Sequence, residues 1–284
     1  MAAQQRATPK ITKSGLQVAQ HVFGLATESN ASGLGDVVII VIDFENINNI
    51  TEDLSLNLDC QAGIAILDIR SLHDPQPIIS THNFATGSSR YCAKASKKFL
   101  FGRSITTSQK EILENIKSLF PPSRSFLLVG HDIRHDLRAL EVLGADFQDP
   151  GIRVLDTSWI AHEVLPFYAG SLGDLLTELK CPFDKLHCAG NDAHFTLRAL
   201  LLLVVKDCRK RADTENHGIV DILDGIAHAT IPYRVDPEIA AARKKAKRLA
   251  KSRKHQSRLW DAETQARIRA ERAARRLAND LSYK

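Results

Sequence analysis

The stretch Val37–Glu45, VVIIVIDFE, decides the fold. Six aliphatic residues, Val37 to Ile42, run straight into Asp43, with Glu45 two positions later. An unbroken run this rich in β-branched side chains predicts a central strand buried on both faces. Side chains alternate along a strand, so Asp43 and Glu45 leave it on one face, about 7 Å apart. Carboxylates at the end of so apolar a strand must find partners or give up their charge. A helix cap or an Arg is the ordinary partner. A divalent-metal site is the alternative, and it needs further acids from elsewhere in the chain.

Outward from this strand, composition sets limits. A chain of 284 residues that is 44% hydrophobic can bury the core of one domain of about 150–200 residues, plus extensions. No apolar run reaches the roughly 18 residues of a membrane span, and the N-terminal MAAQQRATPKITKSG has no apolar signal region. Neither secretion nor membrane association is expected. The five cysteines are scattered without a CxxC pair, which predicts free thiols in a reducing, intracellular compartment. Cys181, His187 and Cys188 raise zinc, but no fourth ligand stands at a finger-like spacing, and zinc is disfavoured.

The segmentation follows from pattern. Residues 1–34 are polar and small, with a short apolar stretch at Leu16–Leu25, and read as a flexible arm. Residues 35–210 form the domain, 211–236 a linker and 237–284 a basic helical tail. After the central strand come strands over Ala62–Asp68 and Ile78–Asn83, joined by the turn-rich SLHDPQP. Ser89–Arg103, basic and aromatic, reads as a loop over a substrate groove or a folded connection, with the folded connection favoured. A helix starts near Ser108 and stops at Pro121–Pro122, followed by a strand over Ser125–Gly130. A hairpin meander followed by αβαβα units predicts a mixed sheet flanked by helices.

Further acids arrive on the later helices. In GHDIRHDLRALEVLG, Ile133, Leu137, Leu140 and Leu143 make one apolar helix face, and Asp136 projects onto that buried side. Arg134, His135 or a cap could partner it. Asp132, just before the helix, is expected as its N-cap. Asp156, at the end of a short strand and before Thr157–Ser158, is also expected as a cap. In LHCAGNDAHFTLRALLLLVV, Asp192 shares a face with Phe195, Ala199 and Leu203. His187 precedes it on a turn whose Ala189 and Gly190 permit close backbone approach. Four acids packed together could not all ionise without cations. All-oxygen ligation suits two Mg²⁺ or Mn²⁺ ions, and imidazole suits a general base near neutrality.

The residues Asp43-x-Glu45, Gly130-His131-x4-Asp136 and His187-x4-Asp192 stand in the order of the three motifs of the DEDDh 3′–5′ exonucleases, which they resemble. The resemblance covers about residues 35–210 and implies an α/β fold, an RNase H-like mixed β-sheet flanked by helices, to which a long basic C-terminal helix is added. The wording LVGHDIRHDLRAL, LDTSW and LHCAGNDAHFTLRALL is similar to a fungal group that includes proteins named as good for full activity of a DEAD-box mRNA-export helicase. It is also similar to an Argonaute-associated exonuclease of the quelling pathway. The resemblance implies Asp43 as a bridging ligand, Glu45 and Asp192 on the first metal, Asp136 on the second, and His187 as the base. Its implied substrate is RNA in preference to DNA, and its implied protein partners are an RNA helicase or an Argonaute-type protein. The chain departs at Asp132, where many relatives have Asn, and at Asn46, where a small hydroxyl or apolar residue is common. Both departures bear on how the terminal nucleotide is held. The alternative reading is a non-catalytic nucleic-acid-binding or scaffold module of the same fold, acting in RNA metabolism or mRNA export.

Charge is uneven along the chain. Residues 241–284 hold fifteen Lys/Arg against four Asp/Glu, a balance of +11, and residues 1–240 hold 23 against 29, a balance of −6. With no Pro or Gly after Pro237, the tail predicts a single helix of about 40 residues and about 60 Å. Its apolar residues stand too far apart for a coiled-coil seam. The block RKKAKRLAKSRK supplies Arg243, Lys244, Lys245, Lys247, Arg248, Lys251, Arg253 and Lys254 as candidate phosphate contacts. The same block is of the kind read by nuclear import, so a nuclear or nucleocytoplasmic location is expected.

Overall fold

The computed structural model describes residues 9–26, 36–74, 79–120, 124–145, 152–168, 170–211 and 217–232, and scattered residues between 245 and 271. Residues Met1–Pro232 form one compact unit and Tyr233–Lys284 another.

The expected central strand is β1 (Val37–Glu45). Antiparallel β2 (Gln61–Asp68) and β3 (Ser80–Ala85) lie on one side of it, with a two-residue β4 (Ile105–Thr106) parallel to β3 at the edge. Parallel β5 (Ser125–Gly130) and β6 (Arg153–Asp156) lie on the other, so the order is β4-β3-β2-β1-β5-β6. This is the mixed RNase H-like sheet, flanked by helices. The hydrophobic run of β1 divides by parity, because strand neighbours point to opposite faces. Val37, Ile39 and Val41 join the core beneath the long helix α7 (Ala189–Lys210), while Val38, Ile40, Ile42 and Phe44 pack with Ile133, Leu137 and Leu140 on the other face. Asp43 and Glu45 share the parity of Val41 and therefore face α7.

Several segments differ from the sequence reading. The expected arm contains α1 (Gly15–Val22), whose Ala19 and Val22 join the α7 core; the chain before it adds a bridge from Ile11 to Val154. The expected linker contains α8 (His217–Ala227), whose Val220, Leu223 and Ile226 pack into the same core. Both helices are short, and their apolar faces became legible only once α7 offered a surface to cover. Ser89–Lys98 forms a helix, α2, capped by the Ser88 side chain on Tyr91 N–H. The helix α3 (Gln109–Lys117) carries a Ser108/Glu111 capping box, as its start signal predicts.

The remaining helices on the domain are α4 (Arg134–Val142), α5 (Thr157–Val164) and α6 (Leu172–Glu178). Among the described residues no helix is long and apolar enough to cross a membrane. In the second unit the described residues are helical and, apart from half-buried Thr264, exposed. They include Lys245, Arg248 and Lys251; Arg243, Lys244, Lys247, Arg253 and Lys254 lie outside the described residues.

Candidate metal centre

The start of α7 is pressed onto the sheet, and two glycines make this possible. Gly63 on β2 pairs with Asp43 across the ladder, and a Cβ at Gly63 would lie 1.9 Å from the Ala189 carbonyl oxygen. A Cβ at Gly190 would lie 2.7 Å from the Phe99 ring and 2.8 Å from Asn83 Cβ. The first turn of α7 thus occupies the space that a side chain opposite Asp43 would fill. Polar groups fix it there. Asn83 Oδ1 accepts Gly190 N–H at 2.9 Å, and buried Asn191 accepts Leu100 N–H while donating to the carbonyls of Lys98 and Lys185. One turn further, buried Arg198 donates from Nε to His194 Nε2 at 2.9 Å, so His194 Nδ1 carries the proton that reaches Thr81 Oγ1 at 2.8 Å. That bond ties α7 to β3.

This docking brings Asp192 to Glu45 and His187. One ligand atom from each of the three lies within 4.8 Å of the others, a spacing that can hold a cation. Asp192 is buried; its Oδ2 accepts the backbone N–H of His187 at 2.8 Å, and its Oδ1 is buried without a protein partner. His187 has φ +62°, a left-handed conformation unusual for a residue with a Cβ. The turn throws its ring outward: the side chain is 86% exposed, with Nδ1 3.5 Å from Glu45 Oε1. Lys98 Nζ donates to the His187 carbonyl oxygen.

Asp136 arrives from the opposite face of the sheet. Its pairing with β1 follows from strand length: β5 accompanies β1 only as far as Val41, so the open edge beyond needs an acceptor. Asp136 Oδ1 accepts Phe44 N–H at 2.9 Å. The buried partner expected for this acid is therefore backbone, and neither Arg134 nor His135 takes that role. Asp43 completes the group with a buried Oδ2 that has no protein partner.

Burial and mutual repulsion dominate the electrostatics. Burial, then the charges of Asp136, Asp192 and Glu45, raise the Asp43 carboxyl well above its ordinary value. Burial pushes Asp136 up to about 8 against the bond from Phe44, and burial with the nearby Glu45 charge pushes Asp192 up to about 8. Without a cation these acids hold protons near neutrality. With two carboxylate oxygens buried and unpartnered, the donor set is one of hard oxygens and an imidazole, and it fits divalent metal ions.

The turn between β5 and α4 corrects one expectation. Asp132 does not cap α4, which starts at Arg134 without a side-chain cap. Asp132 has φ +53°, and its carboxylate pairs with Arg134 at 3.2 Å. Asp156 takes the capping work instead: its carboxylate accepts from Ser158 N–H at the start of α5, and from the N–H groups of Asp132 and Ile133. Asp156 was readable as a cap; its reach to a second turn was not, because β6 and β5 are neighbours only in the sheet. His131 is lashed in the same turn. Thr157 Oγ1 donates to the Gly130 carbonyl and sits 2.9 Å from His131 Nδ1, and Tyr168 OH lies 2.7 Å from His131 Nε2. Burial lowers the His131 pKa.

Sequence reasoning missed Lys98, Asn83, Gln61 and Tyr91, which line the β2–β3 side of the centre. Gln61 pairs with Glu45 across the ladder, and Tyr91 OH receives the amides of both Gln61 and Asn46 at 3.1 Å. For Lys98 and Tyr91 the signal available was the basic and aromatic content of Ser89–Arg103, for which a folded connection was the favoured reading.

A curated protein of Saccharomyces cerevisiae, "Good for full DBP5 activity protein 2", is 26% identical over 193 residues, covering 54% of this chain and 34% of that protein. An uncharacterized protein of the same yeast is 26% identical over 193 residues, covering 55% of this chain and 40% of its own length. The chain thus spans well under half of these relatives. Among solved structures, exonuclease X in complex with 5′-overhanging duplex DNA aligns over 65% of this chain and 99% of that one, at 15% identity and a TM-score of 0.34. The family model described as DNA polymerase III subunit epsilon-like, C-terminal domain, of the DEDDh group, matches residues 38–203, which include every acid of the centre, and the chain belongs to that family.

Proposed function

We propose that this protein is a metal-dependent 3′–5′ exonuclease that hydrolyses phosphodiester bonds of RNA or other single-stranded nucleic acid. The observation that carries the reading is the pair of buried, unpartnered oxygens, Asp43 Oδ2 and Asp192 Oδ1, beside Glu45 and His187. Buried polar atoms are rarely left unsatisfied, and a site that leaves two carboxylate oxygens so is built for a cation. Asp43, Glu45, Asp136 and Asp192 would hold two Mg²⁺ or Mn²⁺ ions. Bound there, the ions let the four acids ionise together and offset the charge of the scissile phosphate. The 3′–5′ polarity is what the resemblance of the three motifs to the DEDDh exonucleases implies.

The part of the protein in the chemistry is proton transfer. His187 Nδ1 faces Glu45 Oε1, which favours the tautomer with its proton on Nδ1 and leaves Nε2 free as a base. Nε2 would take a proton from the attacking water as the water oxygen bonds to phosphorus and the P–O bond to the leaving 3′ oxygen breaks, that oxygen taking its proton from solvent. Lys98, on the His187 carbonyl, holds the turn that presents the ring. The exposed Lys and Arg of the tail recruit polyanion without reading sequence.

A second reading is a nucleic-acid-binding or scaffold module of the same fold. One observation favours it: a matched yeast relative is named for the activity of another protein. An RNA helicase or an Argonaute-type protein would then be the partner, in a nuclear or nucleocytoplasmic setting. Incubation with Mn²⁺ and a labelled single-stranded oligonucleotide separates the two. Stepwise shortening from the 3′ end by wild type and none by Asp43→Ala supports the exonuclease. Tight binding with no shortening by either protein supports the module.

A further inference from the structure

Helix α2 concentrates a charge that the body around it lacks. From Pro75 to Lys110 the chain carries six Lys or Arg and no Asp or Glu, although residues 1–240 hold 23 basic against 29 acidic side chains. On α2 the cations crowd one another. Arg90 and Lys94, and Lys94 and Lys98, stand four residues apart, and Lys94 and Lys97 three, spacings at which like charges on a helix repel. Arg90 also lies in the first turn, against the positive end of the helix dipole. Lys97 and Lys98, in the last turn, complement the negative end, so helix stability accounts for them and not for Arg90. None of the ion pairs among the described residues involves Arg90, Lys94 or Lys97.

The other faces of α2 fix where these cations stand. Cys92 and Ala95 are buried against Ala85 of β3. Tyr91 and Lys98 fall on one line toward the metal centre: Tyr91 OH lies 3.1 Å from Gln61 Nε2, and Lys98 Nζ donates to the His187 carbonyl oxygen. Arg90, Lys94 and Lys97 lie about a quarter-turn from that line, on the side away from the buried face. All three are exposed, and they form a ridge of about 10 Å along the helix axis. The ridge ends at the His187 turn, and exposed Arg103 continues its charge beyond the helix. A row of cations open to solvent does not enclose a small anion, and α2 exposes no large apolar side chain to anchor it in a lipid surface. A row of phosphates matches it.

We propose that the outer face of α2, through Arg90, Lys94 and Lys97, carries the sugar-phosphate backbone of a single nucleic-acid strand whose end lies in the metal centre. This rests on the reading of the centre as a nuclease site and names the surface that holds the rest of the substrate. The contacts are to phosphates, so the face guides a strand without reading its sequence.

The test uses the full chain and is read by fluorescence anisotropy, with Ca²⁺ in place of Mg²⁺. Labelled single strands of about 20 and about four nucleotides are compared at salt between about 50 and 200 mM. The triple variant Arg90→Ala/Lys94→Ala/Lys97→Ala should flatten the slope of log affinity against log salt by about 2 for the long strand, as expected for three phosphates. Affinity for the short strand, and its turnover in Mn²⁺, should be unchanged. Melting temperature should hold or rise, because like charges have been removed. Removing the same charge outside α2, at exposed Lys10, Lys13 and Lys210, should leave the long-strand slope as it is in wild type. A slope unchanged by the α2 substitutions, or flattened as much by the other three, overturns the proposal; an acidic protein segment or net charge alone then accounts for the face. Failure of the nuclease reading would look different: no shortening of either strand by wild type in Mn²⁺.

Discussion

Asp192 accepts the backbone N–H of His187 with one carboxylate oxygen, at 2.8 Å, and leaves the other buried without a protein partner. The same side chain therefore shapes the turn that exposes the imidazole and offers an oxygen to whatever lies between it and Glu45. Geometry of the base and charge of the site are coupled through a single acid.

Replacing Asp43, Asp136 or Asp192 by Asn should abolish hydrolysis while the protein stays folded. The pH dependence carries the sign of the effect. Asp136 and Asp192 are raised to about 8 from an ordinary 3.8. Below 3.8 both folded and unfolded chains hold the proton. As pH rises toward 8 the unfolded chain releases it and the folded chain does not, so stability falls across that window. In metal-free buffer, melting temperature should therefore drop between about pH 4 and pH 8, and less steeply in Asp192→Asn. Added Mn²⁺ should restore more stability at pH 8 than at pH 5. A wild-type melting temperature independent of pH and metal across this range would refute the site.

His187→Ala should retain cation binding, measured by Mn²⁺-dependent thermal shift, and lose about 10²–10⁴-fold in turnover. The ring is exposed and does not touch the sheet core, so stability should change little. A variant within a few-fold of wild type from pH 6 to 9 would return His187 to a structural role.

Gly63→Ala tests the docking of α7. The added Cβ would fall 1.9 Å from the Ala189 carbonyl oxygen, a backbone atom that no rotamer change can move aside. Stability should fall by about 1–3 kcal/mol, as for overpacked cores, read by urea denaturation. Hydrolysis should fall further than stability does, because the displaced turn carries Asp192 and His187. A fully active, equally stable Gly63→Ala would mean that α7 approaches the sheet less closely.

Deleting residues 241–284 removes fifteen basic and four acidic residues. Affinity for RNA or single-stranded DNA should weaken and its dependence on salt flatten, since fewer counterions are released. Turnover of a short oligonucleotide at saturating concentration should survive. Unchanged affinity and salt slope would assign the tail to import or to a protein partner.

Much of this was legible in the residues. The run Val37–Ile42 announced a central strand because nothing but burial on both faces tolerates it. Asp136 and Asp192 announced themselves by standing on apolar helix faces. What the sequence could not convey was anything created by one segment arriving against another. Phe44 N–H became the partner of Asp136 because β5 stops short of the end of β1. Tyr91 came to Asn46 only because α2, packed against β3, carries it to Gln61 at the start of β2. The helical periods of α1 and α8 were too short to outweigh their polar flanks, and the core they complete is displayed by α7.

The separation of the acids along the chain has a consequence for biosynthesis. Phe44 and Asp136 are 92 positions apart, and Gly190 reaches back 107 positions to Asn83. Loop closure over such spans is slow, and a chain folding as it emerges meets these partners late. Until α7 has left the ribosome there is no Asp192, no entry turn and no ring presented by it; the sheet alone holds an incomplete set of ligands. The emerging chain therefore lacks the full set of acids until α7, closing over Gly63, brings Asp192 to the sheet.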